Sequence, residues 1–585
     1  MSIYELMAAT LSDLWPHSLR AFTPELAICG TMVCLLLVRV IVPRRPMAVW
    51  YVATAGVAGA LWLIVPDLFQ AAFGEPGGRE IFTGMLVADG YATVLRAFLL
   101  AFTFVFLTFV QASKLLDSDA DATEFSVLVL AAVLGMCVMV SANHLLMVFL
   151  GIEMAGVPSY VLAGILRRRR AGSEAALKYA VYGAAASGVM LYGISLLGGS
   201  LGSLHLPTMA HRLALLLTSP AIAGQATLLI VAGLMLAVGL AFKLSAFPFH
   251  YWTPDVFEGA PAEIGAFLSV ASKAAALGLT MRLAVCLAGG APEPSPTIAA
   301  YADQAANRVA LPADGSGRAQ PIAARSLTLG NENIASAPDA GSDRVAAHDR
   351  AWLQASLDPA RKFLYSLLAI LAATTCTLGN LAAYGQSNIK RLLAYSTIAH
   401  AGYLLMPVCA AVVAVGSDPL AARSSVAAML FYLMIYFFMN FGAFAVVAAV
   451  RQAGGDERIE SLAGLGRRSP GVAVCFAVML FSLIGIPPLA GFAAKFVIFG
   501  ALVRADLYLL LAVGGLNTVV SLFYYLRVVR VMFLRDVNVA AEPVVIPAFS
   551  TASVYIAAFA APLLLFFVWW DGLLAWAEAA AMSLV

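Results

Sequence analysis

Charged side chains are scarce in this sequence. Asp, Glu, Lys and Arg make up 12% of the 585 residues, whereas they make up about 25% of an ordinary soluble domain. Apolar residues reach 62%, and the formal net charge is only +2. This composition excludes a soluble globular enzyme, and the lack of a basic patch argues against a nucleic-acid partner. It predicts an integral membrane protein.

Cysteine is also sparse. No two cysteines form a CxxC pair and none stands in a Cys/His cluster, so the sequence offers no metal or iron–sulfur site. We therefore expect no cofactor on this chain, and any redox chemistry must take place elsewhere. The seven cysteines are Cys29, Cys34, Cys137, Cys286, Cys376, Cys409 and Cys475.

A cleavable signal peptide is lacking as well. The stretch from Met1 to Arg20 contains Glu5 and Asp13, and it has no compact apolar core followed by a small-residue cleavage site. The first apolar helix is therefore expected to act as its own insertion signal.

Long apolar segments dominate the chain. A helix that spans a bilayer needs about 20 residues, and about fourteen segments approach or exceed that length. An even number of spans places both termini on one side of the membrane. The segments lie near 24–42, 47–67, 91–112, 124–142, 144–166, 173–199, 227–252, 262–288, 362–384, 390–415, 424–450, 470–500, 505–533 and 548–575.

Basic residues predict the orientation. They concentrate in odd-numbered connections, which the positive-inside rule places on the cytoplasmic side of the membrane. The third connection contributes little, and both termini are then expected outside the cytoplasm. The basic residues are Arg44 and Arg45, Arg167 to Arg170, Lys390 and Arg391, Arg451, Arg458, Arg467 and Arg468, and Arg530 and Arg535.

The first motif is AFKLSAFPFHYWTPD, residues 241–255. It puts Lys243 at the end of an apolar helix, five residues before Pro248, which removes a backbone donor and breaks the helix. A lysine at mid-bilayer costs about 2.5–3.5 kcal/mol on insertion scales, and it normally faces a partner or a wet cavity. Broken backbone at that depth has the same requirement. We therefore expect a hydrated pocket that holds an ionisable group.

A second break, GIPPLAGF at 485–492, lies next to Lys495. Interrupted segments in corresponding positions of two halves indicate a transporter built from inverted repeats. Counting five helices per repeat places each break in the fourth helix of its repeat. The predicted organisation has helices 1–3 over 1–120 and a first repeat over 121–288 (helices 4–8). An extramembrane insertion over 289–360, predicted to be disordered, comes before a second repeat over 361–535 (helices 9–13) and helix 14 over 536–585.

Other ionisable residues fall at or near membrane depth. Glu153 lies near the middle of the fifth segment and Lys273 near the middle of the eighth. Ion pairs that only fix helix packing are the structural alternative for these two and for Lys243 and Lys495, but such residues in a membrane are functional by default. His250 and His400 suit either packing or proton relay. Lys390 is a candidate relay whose structural alternative, shared by Arg391 and Arg282, is snorkelling to the interface.

Proton handling is the chemistry that these groups can perform. Burial disfavours the charged form of lysine and glutamate, and an opposite charge within about 4–6 Å restores it. Glu153 held close to Lys243 would keep that lysine charged, and separation would send the proton to Lys273 and onward to Lys495. Histidines, which ionise near neutral pH, suit relay between such sites. Nothing in this set oxidises or reduces a substrate.

These motifs resemble the subunit N family of proton-pumping NADH:quinone oxidoreductase, respiratory complex I. The resemblance lies in AFKLSAFPFHYWTPDVFEGAP (241–261), FLS and SK (267–269 and 272–273), NIKRLLAYSTIAHAGY (388–403), GIPPLAGF with Lys495, and EAALKY (174–179). It implies an antiporter-like all-α fold of fourteen helices with two inverted five-helix repeats. Glu153, Lys243, Lys273 and Lys495 take the positions of the family's proton-translocating residues. The insertion between the eighth and ninth helices exceeds the family's usual length.

The resemblance also implies partners and cofactors. NADH and quinone would be used by other subunits of the assembly, and antiporter-like and small membrane subunits would pack on both flanks. The membrane would be a bacterial inner membrane, with both termini and the 289–360 insertion on its periplasmic side. A subunit of a multi-subunit sodium/proton antiporter is the alternative, although VFEGAP at 256–261 argues against it. A membrane scaffold with inactive ionisable sites is a third interpretation, and it predicts that removing these charges has no effect.

Overall fold

Apolar helices form nearly all of the described structure. The computed structural model describes residues 14, 18–41, 46–73, 77–116, 119–166, 169–219, 222–290, 352–535 and 544–585. Within these residues, 13 helices are long and apolar enough to cross a membrane. The twelfth predicted span adds one more, because a break divides it into two shorter helices. The prediction of about fourteen spanning helices is therefore confirmed.

We number the spanning helices α1 to α14 and give letters to the halves of a broken helix. They are α1 (Thr23–Ile41), α2 (Pro46–Phe73), α3 (Gly90–Ala112), α4 (Asp119–Ser141), α5 (Leu145–Ala163), α6 (Arg170–Leu201), α7a (Ile222–Leu244), α7b (Trp252–Gly259), α8 (Ala262–Val285), α9 (Asp358–Ala383), α10 (Ile389–Ala414), α11 (Pro419–Gln452), α12a (Pro470–Ile484), α12b (Ala490–Arg504), α13 (Tyr508–Leu534) and α14 (Thr551–Val568).

Three smaller elements escaped the sequence reading. An antiparallel hairpin of β1 (Arg79–Ile81) and β2 (Leu86–Ala88) joins α2 to α3, and short helices lie at Leu206–Leu217 and Asp571–Ala581. Strands of three residues and helices of three turns are too short to stand out from apolar surroundings. The ninth helix begins at Asp358, within the predicted insertion. Most of that insertion, 291–351, lies outside the described residues.

The centre of the bundle is α8. Every residue from Ala262 to Val285 is buried, and α10 and α11 are almost as fully enclosed. The peripheral helices bury one side and expose apolar side chains such as Trp62, Leu509 and Phe523 on the other. An apolar outer surface of this kind is what lipid contact requires, so the polar groups on α8 and α10 are separated from lipid by a layer of helices.

Two matching backbone pairings relate the first five-helix unit, α4 to α8, to the second, α9 to α13. In each unit the start of the second helix pairs with the loop that follows the third helix. Because α5 and α10 begin at opposite faces of the bundle, the two pairings lie at opposite faces, as an inverted repeat requires. In the first unit, Leu145 N–H donates to the Leu204 carbonyl (2.8 Å) and Leu206 N–H donates to the Asn143 carbonyl (2.9 Å). In the second unit, Ile389 N–H donates to the Glu457 carbonyl (2.9 Å) and Ile459 N–H donates to the Ser387 carbonyl (2.8 Å).

Close glycine contacts repeat in the same way. A Cβ on Gly135 of α4 would lie 2.4 Å from the backbone nitrogen of Ala155 in α5, and one on Gly379 of α9 would lie 2.6 Å from that of Ala399 in α10. The two alanines occupy equivalent positions in α5 and α10. Small residues allow membrane helices to approach this closely, so both units open with the same tightly packed helix pair.

Two buried ion pairs fix the helices near the hairpin. Arg96 of α3 binds the Glu25 carboxylate of α1 through two hydrogen bonds of 2.6 and 2.5 Å. Arg282 of α8 binds Asp89, the N-cap of α3, at 2.7 and 2.9 Å. Arg282 is buried, so the structural alternative that it snorkels to the interface is wrong. Its partner is distant in sequence, and the sequence reading missed Asp89 as well as the pair between Glu25 and Arg96.

We expect Gly379→Ala to destabilise the protein. The added methyl group must push the α9 and α10 backbones apart, and overpacking of this kind costs about 1–3 kcal/mol. Gly500→Ala is the matched control, because a Cβ there meets no atom within 4 Å. Thermal unfolding of the detergent-purified chain measures both, and equal unfolding temperatures for the two variants would contradict the close-packing argument.

We also expect Arg282→Met to lower the free energy of unfolding by about 3–5 kcal/mol, because it leaves the Asp89 carboxylate buried and unpaired. Adding Asp89→Asn should restore most of the loss, since asparagine is neutral and still caps a helix. The double-mutant cycle in denaturant measures the coupling. A double variant no more stable than the single one would show that the ion pair does not determine stability here.

Candidate functional site

The first break opens the backbone at the end of α7a. The helix stops at Leu244, Ser245 has a positive φ of 58°, and the Phe247–Pro248 peptide bond is cis. Helical structure resumes at Trp252. Pro248 offers no N–H to continue the helix, so carbonyl groups at the carboxyl end of α7a are left without helical partners. The broken helix predicted from residues 241–255 is therefore present.

Lys273 binds this opened end. Its Nζ donates to the Leu244 carbonyl at 2.7 Å and to Ser245 Oγ at 2.8 Å. Thr253 of α7b donates to the same Ser245 hydroxyl at 2.6 Å. A cation is favoured at the carboxyl end of a helix, where the backbone dipole is negative. The side chain of α8 thus satisfies the carbonyl that the break exposes.

Lys243 is the penultimate residue of α7a, directly before Leu244. Its side chain is buried, with 3% of its surface exposed. Among the described residues, no hydrogen bond or salt bridge ends on its ammonium group. A Cβ on Gly156 would lie 3.7 Å from its Nζ, which places the amine beside α5. Its charge is close enough to that of Lys273 for the two to repel each other.

Glu153 lies near Lys243 without pairing to it. The carboxylate accepts a short hydrogen bond from Ser187 of α6, and it attracts Lys243 electrostatically. It is half-buried, on the flank that α5 and α6 form. The expected neighbourhood of Glu153 and Lys243 is therefore present, but the two groups stand in a separated arrangement.

At the second break, a lysine again binds the last carbonyl of a broken helix. Helix α12a ends at Ile484, Gly485 has a φ of 87°, and the Pro487–Pro488 bond is cis. Lys495 of α12b folds back, and its Nζ donates to the Ile484 carbonyl at 2.8 Å. The same Nζ lies 4.3 Å from the centre of the Tyr403 ring, within the range of a cation–π contact. A lysine therefore binds the opened carboxyl end of each broken helix.

His400 lies in an aromatic cluster close to Lys495. Its Nδ1 is 2.6 Å from the Tyr432 hydroxyl and its Nε2 is 3.5 Å from that of Tyr525. Tyr525 makes a short hydrogen bond with Ser396. The sequence reading missed these tyrosines, although the Tyr432/Tyr436 spacing and the Tyr524–Tyr525 pair place hydroxyl groups on inward helix faces. The cluster surrounds His400 with groups that can both donate and accept a proton.

His250 and Lys390 occupy different surroundings. His250 lies within the first break, and its Nδ1 is buried without a hydrogen-bond partner in the described part of the chain. Lys390 is fully buried, donates to the Ala260 carbonyl at 2.8 Å and pairs with Glu457 at 2.8 Å. Snorkelling, the structural alternative for Lys390, is therefore wrong, and its relay role stays a prediction.

A network of charges covers α7b at the face of the bundle that carries the basic loops. Asp255 binds Lys178 of α6 at 2.9 Å and Arg391 of α10 at 3.0 Å. Arg391 also binds Glu258 at 2.7 Å. These side chains are about one-third exposed, so each pair contributes about 0–1 kcal/mol. The network therefore contributes more to the position of α7b between α6 and α10 than to the free energy of unfolding.

The structure thus gathers the predicted residues into two groups. Glu153, Lys243, His250 and Lys273 surround the first break, and Lys495 and His400 lie at the second. Lys390 stands apart from both. Within the described ranges, no three His, Cys, Asp or Glu side chains are arranged to hold a metal ion. The site can bind, hold and exchange protons, since every group in it is a Brønsted acid or base.

Comparison with known proteins identifies the family. The family described as "NADH:quinone oxidoreductase/Mrp antiporter, TM" matches residues 142–301 and 351–521. NADH-quinone oxidoreductase subunit N of Anaeromyxobacter sp. (strain Fw109-5) is 37% identical over 97% of this chain and 96% of its own.

Solved structures agree on the fold. A chain of respiratory complex I from Thermus thermophilus is 28% identical, with a TM-score of 0.66 over 94% of this chain and 98% of that chain. A chain of the Mrp complex from Dietzia sp. DQ12-45-1b has a TM-score of 0.71 over 97% of this chain and 98% of that chain, but only 18% identity, so it supports the fold alone. The predicted antiporter-like fold is confirmed, and the chain belongs to the NADH-quinone oxidoreductase subunit N family.

Proposed function

We propose that this chain is the proton-translocating membrane subunit of an NADH:quinone oxidoreductase and that buried lysines at two broken helices carry the proton. The observation that supports this most strongly is the repeated geometry, in which Lys273 and Lys495 each donate to the last carbonyl of a half-helix. A lysine held in this way can lose its proton without losing its position, because neutral amines still donate a hydrogen bond.

In the first unit, Glu153 and Lys243 form the switch. Glu153 is bound to Ser187, and no carboxylate among the described residues pairs with Lys243. In this separated state the charge on Lys243 is poorly compensated. Repulsion between Lys243 and Lys273 disfavours protonation of both at once. A proton that arrives at Lys243 is therefore driven off to Lys273 while Glu153 stays away, and approach of Glu153 recharges Lys243.

The second unit provides the exit. Lys495 lies against Tyr403 and close to His400, whose ring nitrogens face the hydroxyl groups of Tyr432 and Tyr525. An alternating series of histidine and tyrosine groups can pass a proton by exchanging hydrogen-bond direction at each step. We propose that His400 relays protons to or from Lys495, and that His250 serves the first break.

Redox chemistry belongs to the partners. We propose that NADH and quinone are used by other subunits of the complex and that this chain holds no cofactor of its own. Antiporter-like and small membrane subunits are the proposed neighbours in a hetero-oligomer within the lipid membrane. Both would contact the apolar outer surfaces of the peripheral helices.

The proposed orientation follows from the basic loops. The chain is a multi-pass protein of the bacterial inner membrane. We propose that the face bearing Arg169, Arg391, Arg451 and Arg467 is cytoplasmic and that both termini are periplasmic. The short helix Leu206–Leu217 and the β1–β2 hairpin would then face the periplasm.

A sodium/proton antiporter subunit is the alternative function. Its support is the fold, because the similarity to the Mrp complex is at least as high by TM-score as that to complex I. Sequence favours the oxidoreductase, since the full-length relative at 37% identity is a subunit N. We therefore rank the antiporter second.

Replacing Lys243 with alanine separates these functions. We expect NADH-driven proton uptake by inverted membrane vesicles to fall by roughly tenfold or more, since a positioned proton-transfer group contributes about 10²–10⁴-fold. Lys362→Ala is the control, because that side chain is 77% exposed at the start of α9. Loss of salt tolerance with intact NADH oxidation would instead support the antiporter, and no change in either would support a scaffold.

Ser245→Gly tests the first break. Glycine tolerates the positive φ of this position, and the substitution removes the side chain whose hydroxyl Lys273 and Thr253 bind. We expect proton uptake to fall by roughly tenfold, because a lost hydrogen bond to a charged group costs about 1.5–3 kcal/mol. Thr253→Ser keeps the hydroxyl chain and should stay close to the unmodified protein. Full proton uptake in Ser245→Gly would show that the Leu244 carbonyl alone positions Lys273.

A further inference from the structure

The half-helix α7b is a separate piece between two interruptions. It is eight residues long, from Trp252 to Gly259, and its amino end contacts the Lys273 site through Thr253. Its carboxyl end packs directly on α6, because a Cβ on Gly259 would lie 2.4 Å from the Ala171 carbonyl. A short rigid helix with one end at the proton site transmits any displacement of its other end.

The other end is bound by Lys390 of the second unit. The ammonium group donates to the carbonyl of Ala260, the C-cap of α7b, at 2.8 Å and pairs with Glu457 at 2.8 Å. Glu457 belongs to the loop after α11, whose backbone also pairs with the start of α10. Lys390 therefore joins α10, this loop and α7b at one buried point.

These contacts form a continuous path. It runs from Glu457 through Lys390 to the Ala260 carbonyl, along two turns of α7b, and from Thr253 to Ser245, which binds Lys273. Every step in the path is a hydrogen bond, an ion pair or a rigid helix. Contiguous networks of this kind are physically able to couple distant sites.

Lys390 has the surroundings of a fixed charge. Glu457 compensates that charge, and the other hydrogen-bond partner is the Ala260 carbonyl, a backbone group that passes no proton on. Arg169 and Arg451 add further positive charges nearby. The group has the partners of a structural cation.

We propose that Lys390 is a positioning residue that holds the carboxyl end of α7b against α10, so that the second unit fixes the opened Leu244 end where Lys273 binds, and that it carries no proton itself. This inference rests on the proposed function, since it assigns Lys390 a role in aligning the Lys273 site. It replaces the relay role that the sequence motif indicates for Lys390.

Substitutions that keep hydrogen-bond donors but cannot exchange a proton test the proposal. Lys390→Arg and Lys390→Gln both keep a donor for the Ala260 carbonyl and for Glu457, yet guanidinium does not deprotonate in proteins and an amide does not titrate. Lys390→Met removes the donors. Lys273→Arg and Lys273→Gln are matched controls at a residue proposed to carry protons. Each is placed in the whole complex, with its assembly checked on native gels.

The measurement is NADH-driven proton uptake per NADH oxidised in inverted vesicles, together with its pH profile. We expect Lys390→Arg or Lys390→Gln to keep at least about half of the uptake with an unchanged pH profile, because the donors remain. The Lys273 variants should keep at most about a tenth, and an assembled Lys390→Met should lose uptake several-fold. The Arg and Gln variants decide the question even where Lys390→Met does not assemble.

Three results would overturn the assignment in different ways. If Lys390→Arg and Lys390→Gln assemble but pump as poorly as the Lys273 variants, Lys390 carries a proton. If Lys390→Met pumps like the unmodified complex, the contact with α7b has no role. If the Lys273 variants pump normally, the proposed function fails at that residue, independently of what Lys390 does.

Discussion

Backbone that is not helical must find hydrogen-bond partners inside the protein when it lies within a membrane, and the structure of this chain is organised around that requirement. Each interruption leaves a half-helix whose last carbonyl has no partner within the helix. In both cases a lysine ammonium group donates a hydrogen bond to that carbonyl. The lysine in turn needs compensation for its buried charge, which the negative end of the helix dipole partly supplies. The lysine ammonium group and the helix-end carbonyl are therefore tolerated inside the membrane because they bind each other. The same arrangement makes the lysine a group whose protonation can change without loss of its place.

The inverted repeat produces this arrangement twice, with different sources for the lysine. In the first unit it comes from the following helix, α8, and in the second from the other half of the same broken helix, α12b. The equivalent backbone pairings at the starts of α5 and α10 and the equivalent glycine contacts show that the scaffold is shared. What differs is the polar lining. The first unit has the Ser245 hydroxyl at Lys273 and the Glu153 carboxylate near Lys243, and the second has an aromatic cluster beside Lys495. One scaffold therefore supports two different proton environments.

Fold similarity alone does not identify the function. The TM-score against the Mrp complex is 0.71 and that against complex I is 0.66, so the fold is similar to both. The full-length identity to subunit N relatives separates the two. A shared fold can support different functions, so the function has to be argued from the polar side chains of the site.

The sequence by itself determined the membrane class, the number of spans, the two breaks and the identity of the buried lysines. These follow from local properties, since hydrophobic length, proline and an isolated charge in an apolar run each act within a few residues. It did not determine that Arg282 binds Asp89, that Lys390 binds the end of α7b, that Glu153 binds Ser187 or that tyrosines from α11 and α13 surround His400. Those partners lie on helices far apart in the chain, and an apolar helix carries little signal about which of its neighbours it will meet. Only packing of the helices decided them, because a buried polar group takes whichever partner the tertiary structure brings within hydrogen-bond distance.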